Sequence, residues 1–118
     1  MEIYGVERKF LMTVGASAEI SEFCPDGDLD RLGELFEQSY GKSTRATAKI
    51  IASLSRGYES FMKFQNPEYV QSPLTVEQIM SLEPKTYKLL VTEAMKAFTD
   101  SVETSVETEP SKKNKEVE

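Results

Sequence analysis

Four consecutive residues, Gly41 to Thr44, have the side chains that end a phosphate-binding P-loop. In a complete P-loop a glycine-rich backbone surrounds the phosphates, while a lysine and a hydroxyl reach the outer phosphates and Mg²⁺. The pattern requires another glycine at position 36 and a preceding strand, but this chain has Phe36 there and a predicted helix. The residues therefore indicate the end of one helix and the start of another, not a nucleotide site.

Four acidic residues have the spacing of a calcium-binding loop. Asp26, Asp28, Asp30 and Glu37 stand at its first, third, fifth and twelfth positions. Carboxylate oxygens are the ligands that Ca²⁺ prefers, but the sixth position of such a loop needs glycine for its sharp turn. Arg31 occupies that position, and apolar residues at helical spacing surround it. We interpret these acids as the negatively charged start of a helix, where they complement its dipole.

Other catalytic chemistry has few candidate residues. The 118 residues include no histidine and one cysteine, Cys24, so neither a His/Cys zinc cluster nor a histidine-activated nucleophile can be assembled. Without a base beside it, Cys24 is predicted to be a small core residue. Twenty acidic residues ensure that some carboxylates lie close together, but spacing distinguishes no pair. We therefore predict a non-enzymatic binding protein with no catalytic residue, no metal site and no cofactor.

Hydrophobic periodicity predicts the elements that would carry a binding surface. β-Forming residues at Glu2 to Tyr4 and Arg8 to Val14 flank Gly5, which indicates a short N-terminal β-hairpin. Four to five helices are predicted after it, each with apolar residues three or four apart. The predicted fold class is therefore α+β and mostly helical. Residues 1–100 are predicted to form one globular domain, and 101–118 a flexible, disordered acidic tail.

Capping and stop residues predict where the helices begin and end. A short first helix is predicted over Ala16 to Phe23. The second helix is predicted from Asp28 to Gly41, with Phe36 and Tyr40 among its inner apolar residues. A longer helix is predicted from Ser43 to about Phe64, where apolar residues recur most regularly. The last two helices are predicted over Val76 to Leu82, after a capping box at Thr75, and from Pro84 onwards.

The long helix carries a stripe of positive charge. Its apolar residues occupy one half of the helical wheel, and five cations gather within about 60° on the other side. These cations, termed the basic stripe, are Lys42, Arg45, Lys49, Arg56 and Lys63. Residues 41–98 have eight basic and five acidic side chains, whereas residues 1–40 have three basic and nine acidic. The stripe is a candidate site for an acidic partner, or for acidic segments of this chain or another copy.

Two aromatic residues complete the predicted partner-binding set. Phe64 lies toward the edge of the apolar arc and Tyr69 in the loop after the helix. No apolar run approaches the ~20 residues of a membrane span, and the N-terminus lacks the cationic start and apolar run of a signal peptide. We therefore expect a cytoplasmic protein with no membrane partner. The net charge of −6 disfavours nucleic acid as a partner.

The run from Glu2 to Ala16, followed by a short helix through Phe23, resembles the opening of tail assembly chaperones from long-tailed phages and prophages. The likeness continues through the long helix and the segment Leu74 to Leu82, and covers residues 2–100. The resemblance implies a non-enzymatic protein of the host bacterium's cytoplasm. Such a protein keeps the tape measure protein soluble and helps to recruit tail tube subunits around it, with grooves between helices covering apolar segments of its client.

Two other functions fit parts of the pattern. A small helical regulator would bind nucleic acid through the basic stripe, and that binding would weaken as salt is added. A metal- or nucleotide-dependent enzyme would use one of the two incomplete motifs, and calcium or ATP would then raise its melting temperature.

Overall fold

The computed structural model describes residues 1–108, with side chains through residue 100, and this part of the chain is mostly helical. A two-stranded antiparallel sheet is followed by four α-helices and two 3₁₀ segments. The strands are β1 Glu2–Ile3 and β2 Val6–Glu7, and the 3₁₀ segments are Pro25–Gly27 and Leu29–Glu37. The α-helices are α1 Val14–Phe23, α2 Tyr40–Gln65, α3 Val76–Met80 and α4 Pro84–Thr108. The predicted class, α+β and mostly helical with an N-terminal hairpin, is confirmed.

The hairpin turns at Tyr4 and Gly5, whose φ angles are 54° and 77°. Positive φ at both central residues is typical of a type I′ turn, which matches the twist of two paired strands. Ile3 then pairs with Val6 across the turn. The second strand is therefore β2, and the predicted strand over Arg8 to Val14 is wrong.

The segment after the hairpin packs across the middle of α2. The Leu11 N–H donates to the Leu54 carbonyl oxygen of α2 over 3.1 Å. The buried Arg8 side chain donates to the carbonyl oxygens of Ile3, at 3.3 Å, and of Ser72. These bonds satisfy backbone groups that a strand ladder would otherwise pair, and they fix the hairpin to the helical core.

The predicted second helix is a 3₁₀ helix and ends earlier than expected. Asp28 caps it as predicted, because its carboxylate accepts from the Asp30 N–H at 3.0 Å. A 3₁₀ helix has three residues per turn, so side chains three apart share a face. Leu35 is buried, while the next residue, Phe36, lies on another face and is exposed. Tyr40 belongs to the following helix and is also exposed, so the predicted inward position of both aromatics is wrong.

α2 begins earlier than the sequence predicted. The Ser39 hydroxyl accepts from the Lys42 N–H at 3.4 Å, which makes Ser39 the N-cap. The helix therefore starts at Tyr40, and the predicted start at Ser43 is corrected. Gly41 lies in the first turn and ends no helix, contrary to the prediction. The P-loop-like residues thus belong to the start of a long helix and do not form a loop.

α2 is the centre of the fold, because α1, the longer 3₁₀ helix, α3 and α4 all contact it. Its middle is buried on several faces, and the residues that are at most 1 % exposed include Ala48, Ile50, Ile51, Ala52 and Leu54. The fully buried large side chains that surround it are Ile20, Leu74, Ile79 and Leu90. Burying each aliphatic side chain of this size contributes about 1.5 to 3 kcal/mol to the stability of the fold.

Three polar side chains spaced four residues apart on α2 hold the segment that follows the helix. Ser55 Oγ accepts from the Leu74 N–H at 2.8 Å, and Glu59 Oε1 accepts from the Ser72 N–H at 2.8 Å. Lys63 Nζ donates to two carbonyl oxygens of the same segment, at 2.6 and 3.1 Å. Residues 70–75 have no helix or strand of their own, so these bonds, termed the polar seam, take the place of regular backbone pairing.

The two helices after this segment begin where the sequence predicted. The Thr75 hydroxyl accepts from the Gln78 N–H, and the Gln78 side chain accepts from the Thr75 N–H, which confirms the capping box. α4 begins at Pro84, as predicted. Leu90 and Ala94 of its predicted apolar face are fully buried.

α4 continues beyond residue 100, the predicted end of the globular domain. Its described part extends to Thr108, so residues 101–108 of the predicted tail belong to this helix. The remainder of that prediction, residues 109–118, lies outside the described residues. None of the helices described is long and apolar enough to cross a membrane.

Candidate functional site

The C-terminal part of the basic stripe binds other parts of the same chain. Lys49 Nζ lies 5.6 Å from the centre of the Phe23 ring, within the range of a cation–π contact. Arg56 Nε donates to Glu19 Oε1 on α1 at 3.1 Å. Lys63 belongs to the polar seam. These three predicted partner-binding cations therefore stabilise the fold, which limits what they can offer to a partner.

The N-terminal part of the basic stripe is exposed. Lys42 lies in the first turn of α2, and within the described residues its side chain takes part in no hydrogen bond or ion pair. Arg45 makes one long hydrogen bond, 3.4 Å, to the Gly41 carbonyl oxygen one turn earlier. If either cation bound a carboxylate of another molecule, few stabilising contacts within this chain would be lost. Lys42 and Arg45 are the stripe cations best placed to attract an acidic partner.

A cleft of about 450 Å³ opens between the start of α2, the end of the longer 3₁₀ helix and α4. Phe36, Tyr40 and Tyr87 give it aromatic walls, and Tyr40 is 80 % exposed. Burial raises the pKa of Tyr87, so its hydroxyl stays protonated and able to donate a hydrogen bond. We term this the α2–α4 cleft. Apolar walls with a few polar groups are typical of sites that bind a side chain or a small ligand.

The charge around the α2–α4 cleft is positive. Lys88 is the one charged side chain among its described lining residues. Ser43 and Thr44 also line the cleft, and the exposed cations Lys42 and Arg45 flank them in the sequence. The cleft therefore joins aromatic surface to one cation, Lys88, which favours a ligand that is both apolar and acidic. Lys42 and Arg45 project from a different face of the same turns of α2 and do not line the cleft.

A second groove, of about 330 Å³, lies between the start of α1 and the last turns of α2. Small residues line much of it, including Gly15, Ala16 and Gly57. Val14 and Phe64 also line it and are 87 % and 91 % exposed. We term this the α1–α2 groove. Two such exposed apolar side chains beside one depression form a patch, in contrast to single apolar residues scattered over a surface.

The two predicted aromatic contacts lie in different environments. Phe64 is exposed on α2, in agreement with its predicted place at the edge of the apolar arc. Tyr69 is partly buried, and its hydroxyl donates to Glu59 Oε2 at 3.0 Å. Burial and the hydrogen bond to Glu59 raise the pKa of Tyr69. Tyr69 thus holds the segment after α2, and Phe64 is the better candidate for a partner contact.

The incomplete motifs supply contacts within the fold. Arg31 Nη1 donates to Asp26 Oδ2 at 2.6 Å, and Asp28 is a helix cap. Among the described residues, no group of three or more His, Cys, Asp or Glu side chains could hold a metal ion. Cys24 is buried with its Sγ 3.4 Å from the Ile20 carbonyl oxygen, and burial raises its pKa. The predicted core role of this cysteine is confirmed, and the thiol form is favoured.

The sequence did not predict the aromatic walls of the α2–α4 cleft. Both Phe36 and Tyr40 fit the apolar face of a continuous α-helix from Asp28, and that helix does not form. Ser39 is a strong N-cap residue just ahead of the long helix, and it was the signal that a new helix starts at Tyr40.

The Glu19–Arg56 ion pair gives the fold a contribution that depends on pH. The Arg56 hydrogen bond lowers the pKa of Glu19 below its usual 4.5, with a smaller effect in the same direction from Ser53. A lowered folded-state pKa stabilises the protein above the unfolded-state value, and this stabilisation is lost as the pH falls through the folded-state pKa. Both side chains are more than a third exposed, so screening leaves about 0.5 kcal/mol.

Replacing Glu19 by glutamine is therefore expected to lower the melting temperature slightly at pH 7 and to have less effect near pH 3. Thermal unfolding of both proteins at the two pH values measures this difference. Glu22→Gln on the exposed side of α1 is the matched control. An equal effect of Glu19→Gln at both pH values would contradict the ionic role of the pair.

Comparison with protein-family models, with curated proteins and with solved structures found no match to this chain. Its function is therefore argued from the surfaces described above and from the pattern of its sequence.

Proposed function

We propose that this chain is a non-enzymatic tail assembly chaperone of a long-tailed phage or prophage, which acts in the cytoplasm of the host bacterium. Its client is the tape measure protein, around which it helps to recruit tail tube subunits. The observation that carries the proposal is the α2–α4 cleft, where exposed aromatic walls lie beside Lys88. The exposed cations Lys42 and Arg45 lie on another face of the same turns of α2. The resemblance of residues 2–100 to such chaperones supports the same function.

The chemistry of the cleft specifies what the client must present. The walls formed by Phe36 and Tyr40 suit an apolar side chain, because covering them removes apolar surface from water. Lys88 suits a carboxylate next to that side chain. Lys42 and Arg45, on another face of the same turns of α2, would attract further acidic residues of the client. An amphipathic helix with acidic residues beside its apolar stripe satisfies both conditions. A long helical client offers many such segments, which would otherwise aggregate.

The basic stripe has a narrower role in this proposal than the sequence suggested. Lys49, Arg56 and Lys63 bind within the chain, so reversing their charge would disturb the fold as well as any client contact. A test of client binding should therefore change only Lys42 and Arg45, whose side chains contribute little to the fold.

The double variant Lys42→Glu/Arg45→Glu is expected to bind the tape measure protein about three- to tenfold more weakly, because two attractive charges become repulsive. Co-expression of each variant with the tape measure protein, followed by measurement of soluble client and co-purification, tests this. The variant Lys9→Glu/Lys96→Glu changes the net charge equally at two exposed residues outside the cleft and should retain binding. Equal losses in both variants would show a non-specific charge effect and refute a specific role for Lys42 and Arg45 in client binding.

Two further observations would overturn the function itself. A gene neighbourhood without tail tube and tape measure genes would remove the client. Salt-sensitive DNA binding near physiological ionic strength, lost in Lys42→Glu/Arg45→Glu, would instead assign the exposed cations to nucleic acid and favour the regulator.

A further inference from the structure

The α1–α2 groove combines a depression and a projection on one face. Gly15 is exposed and has no side chain, so a partner group can approach the backbone of α1 closely there. In the same groove Phe64 projects almost entirely into solvent, and Val14 is nearly as exposed. A large aromatic side chain in this position leaves nearly all of its apolar surface in contact with water.

From this arrangement we infer that the α1–α2 groove binds the same face of a second copy of this chain, with Phe64 of each copy in the groove of the other. A twofold dimer requires a self-complementary patch, in which each copy supplies both the projection and the depression. The groove and Phe64 meet that requirement because they are neighbours on one face.

Charge complementarity selects a second copy over an acidic client at this face. The charged side chains among the described lining residues are Glu19 and Arg56, which bind each other. Pairing two such faces therefore buries no net charge, although each whole chain carries −6. Under twofold symmetry each carboxylate can also approach the other copy's guanidinium. An acidic client would gain nothing here, whereas it would gain at the α2–α4 cleft.

The dimer would leave the proposed client site open. Residues of α2 that line the cleft lie between Tyr40 and Thr47, and those that line the groove lie between Ser53 and Phe64. Thr44 and Phe61 are about 25 Å apart along the helix, at 1.5 Å per residue. Two copies joined at their grooves would present two clefts to one long client, and the second contact would form at a high effective concentration.

The test is the mass of the full chain in solution, without any client. Sedimentation equilibrium from about 1 to 100 µM is expected to show a dimer of twice the 13.3 kDa chain mass. Phe64→Asp should weaken dimerisation at least about tenfold, because a charge would enter an apolar groove. Ser60→Arg, which places a long charged side chain in the groove one turn before Phe64, should do the same. Both side chains are exposed, so circular dichroism and melting temperature should remain near those of the parent.

Val70→Asp is the matched control, since it places the same charge at an apolar residue that is 83 % exposed and outside the groove. It should dimerise like the parent. A monomer at every concentration would overturn the inference, and so would a dimer that survives both Phe64→Asp and Ser60→Arg. Loss of client binding in Phe64→Asp with an unchanged dimer would instead assign the groove to the client. Because the mass is measured without client, this result does not depend on the proposed function.

Discussion

Replacing Gly57 by alanine is expected to lower the free energy of unfolding by about 2 to 3 kcal/mol. A Cβ at this position would lie less than 3.0 Å from the Leu11 carbonyl oxygen, 3.1 Å from Thr13 Oγ1 and 3.3 Å from the Ala16 Cβ. The nearest of these atoms is backbone, and the adjacent Leu11 N–H is bound to the Leu54 carbonyl oxygen. The segment between β2 and α1, which contains Leu11, therefore cannot move away from Gly57 without losing this hydrogen bond.

Intrinsic helix propensity makes this a stringent test. Alanine is favoured over glycine in a helix interior by about 1 kcal/mol, so a Gly57→Ala variant without a steric conflict would be more stable than the parent. We expect the opposite sign, because the segment between the hairpin and α1 lies directly on α2. Urea denaturation, with the midpoint converted to a free energy, measures the change.

Gly33→Ala is the control for this prediction. Gly33 is exposed in the longer 3₁₀ helix, and a Cβ there would meet no atom within 4 Å. Its substitution should change the free energy of unfolding by less than about 0.5 kcal/mol. If Gly57→Ala changed the free energy of unfolding as little as Gly33→Ala, the close packing of the segment between β2 and α1 on α2 would be refuted.

The existence of the helices was predictable because each carries its own local signal. The capping box of Thr75 and Gln78 acts over three residues, and the structure contains both of its hydrogen bonds. The long helix was predictable from the helical spacing of its larger apolar side chains: Ile50, Ile51 and Leu54 share one face and are buried. Signals of this kind depend on neighbours within one or two turns, so tertiary contacts do not overrule them.

Boundaries were less predictable where two local preferences compete. The residues from Arg8 to Val14 favour a strand, but Tyr4 and Gly5 close the turn so early that the second strand forms before that run begins. The Leu11 N–H then donates to the Leu54 carbonyl oxygen of α2, and no neighbouring strand accepts it. Nothing in the sequence near Leu11 specifies that acceptor, since it is a backbone atom of a distant element.

The candidate site was predictable as a set of residue types, but its geometry was not. Helical periodicity predicts that the five cations of the basic stripe lie on one side of α2, but it does not predict which group each cation binds. Arg56 meets Glu19, which lies 37 residues earlier, and Lys63 meets carbonyl oxygens of the segment after α2. Long-range partners therefore decide which cations remain free, and they leave Lys42 and Arg45. Whether these two bind a client stays a prediction.

The polar seam on α2 yields the second large effect, at Glu59. This carboxylate is 5 % exposed and accepts from the Ser72 N–H at 2.8 Å and the Tyr69 hydroxyl at 3.0 Å. Ser72 also accepts from the buried Arg8 side chain, so one residue links α2, the following segment and the hairpin. Removing the carboxylate leaves two part-buried donors without their partner and loses two hydrogen bonds to a charged acceptor, each of which contributes about 1 to 3 kcal/mol.

Glu59→Ala is accordingly expected to lower the free energy of unfolding by about 2 to 4 kcal/mol, and Glu59→Gln by about half as much, because the amide oxygen can still accept from Ser72. Urea denaturation gives both values, and amide exchange of Ser72 should quicken more in the alanine variant. Glu68→Ala removes an exposed carboxylate from the same segment and should cost less than about 0.5 kcal/mol. If Glu59→Ala lowered the free energy of unfolding no more than Glu68→Ala, the hydrogen bonds of Glu59 would not hold the segment after α2. Apolar packing alone would then hold it.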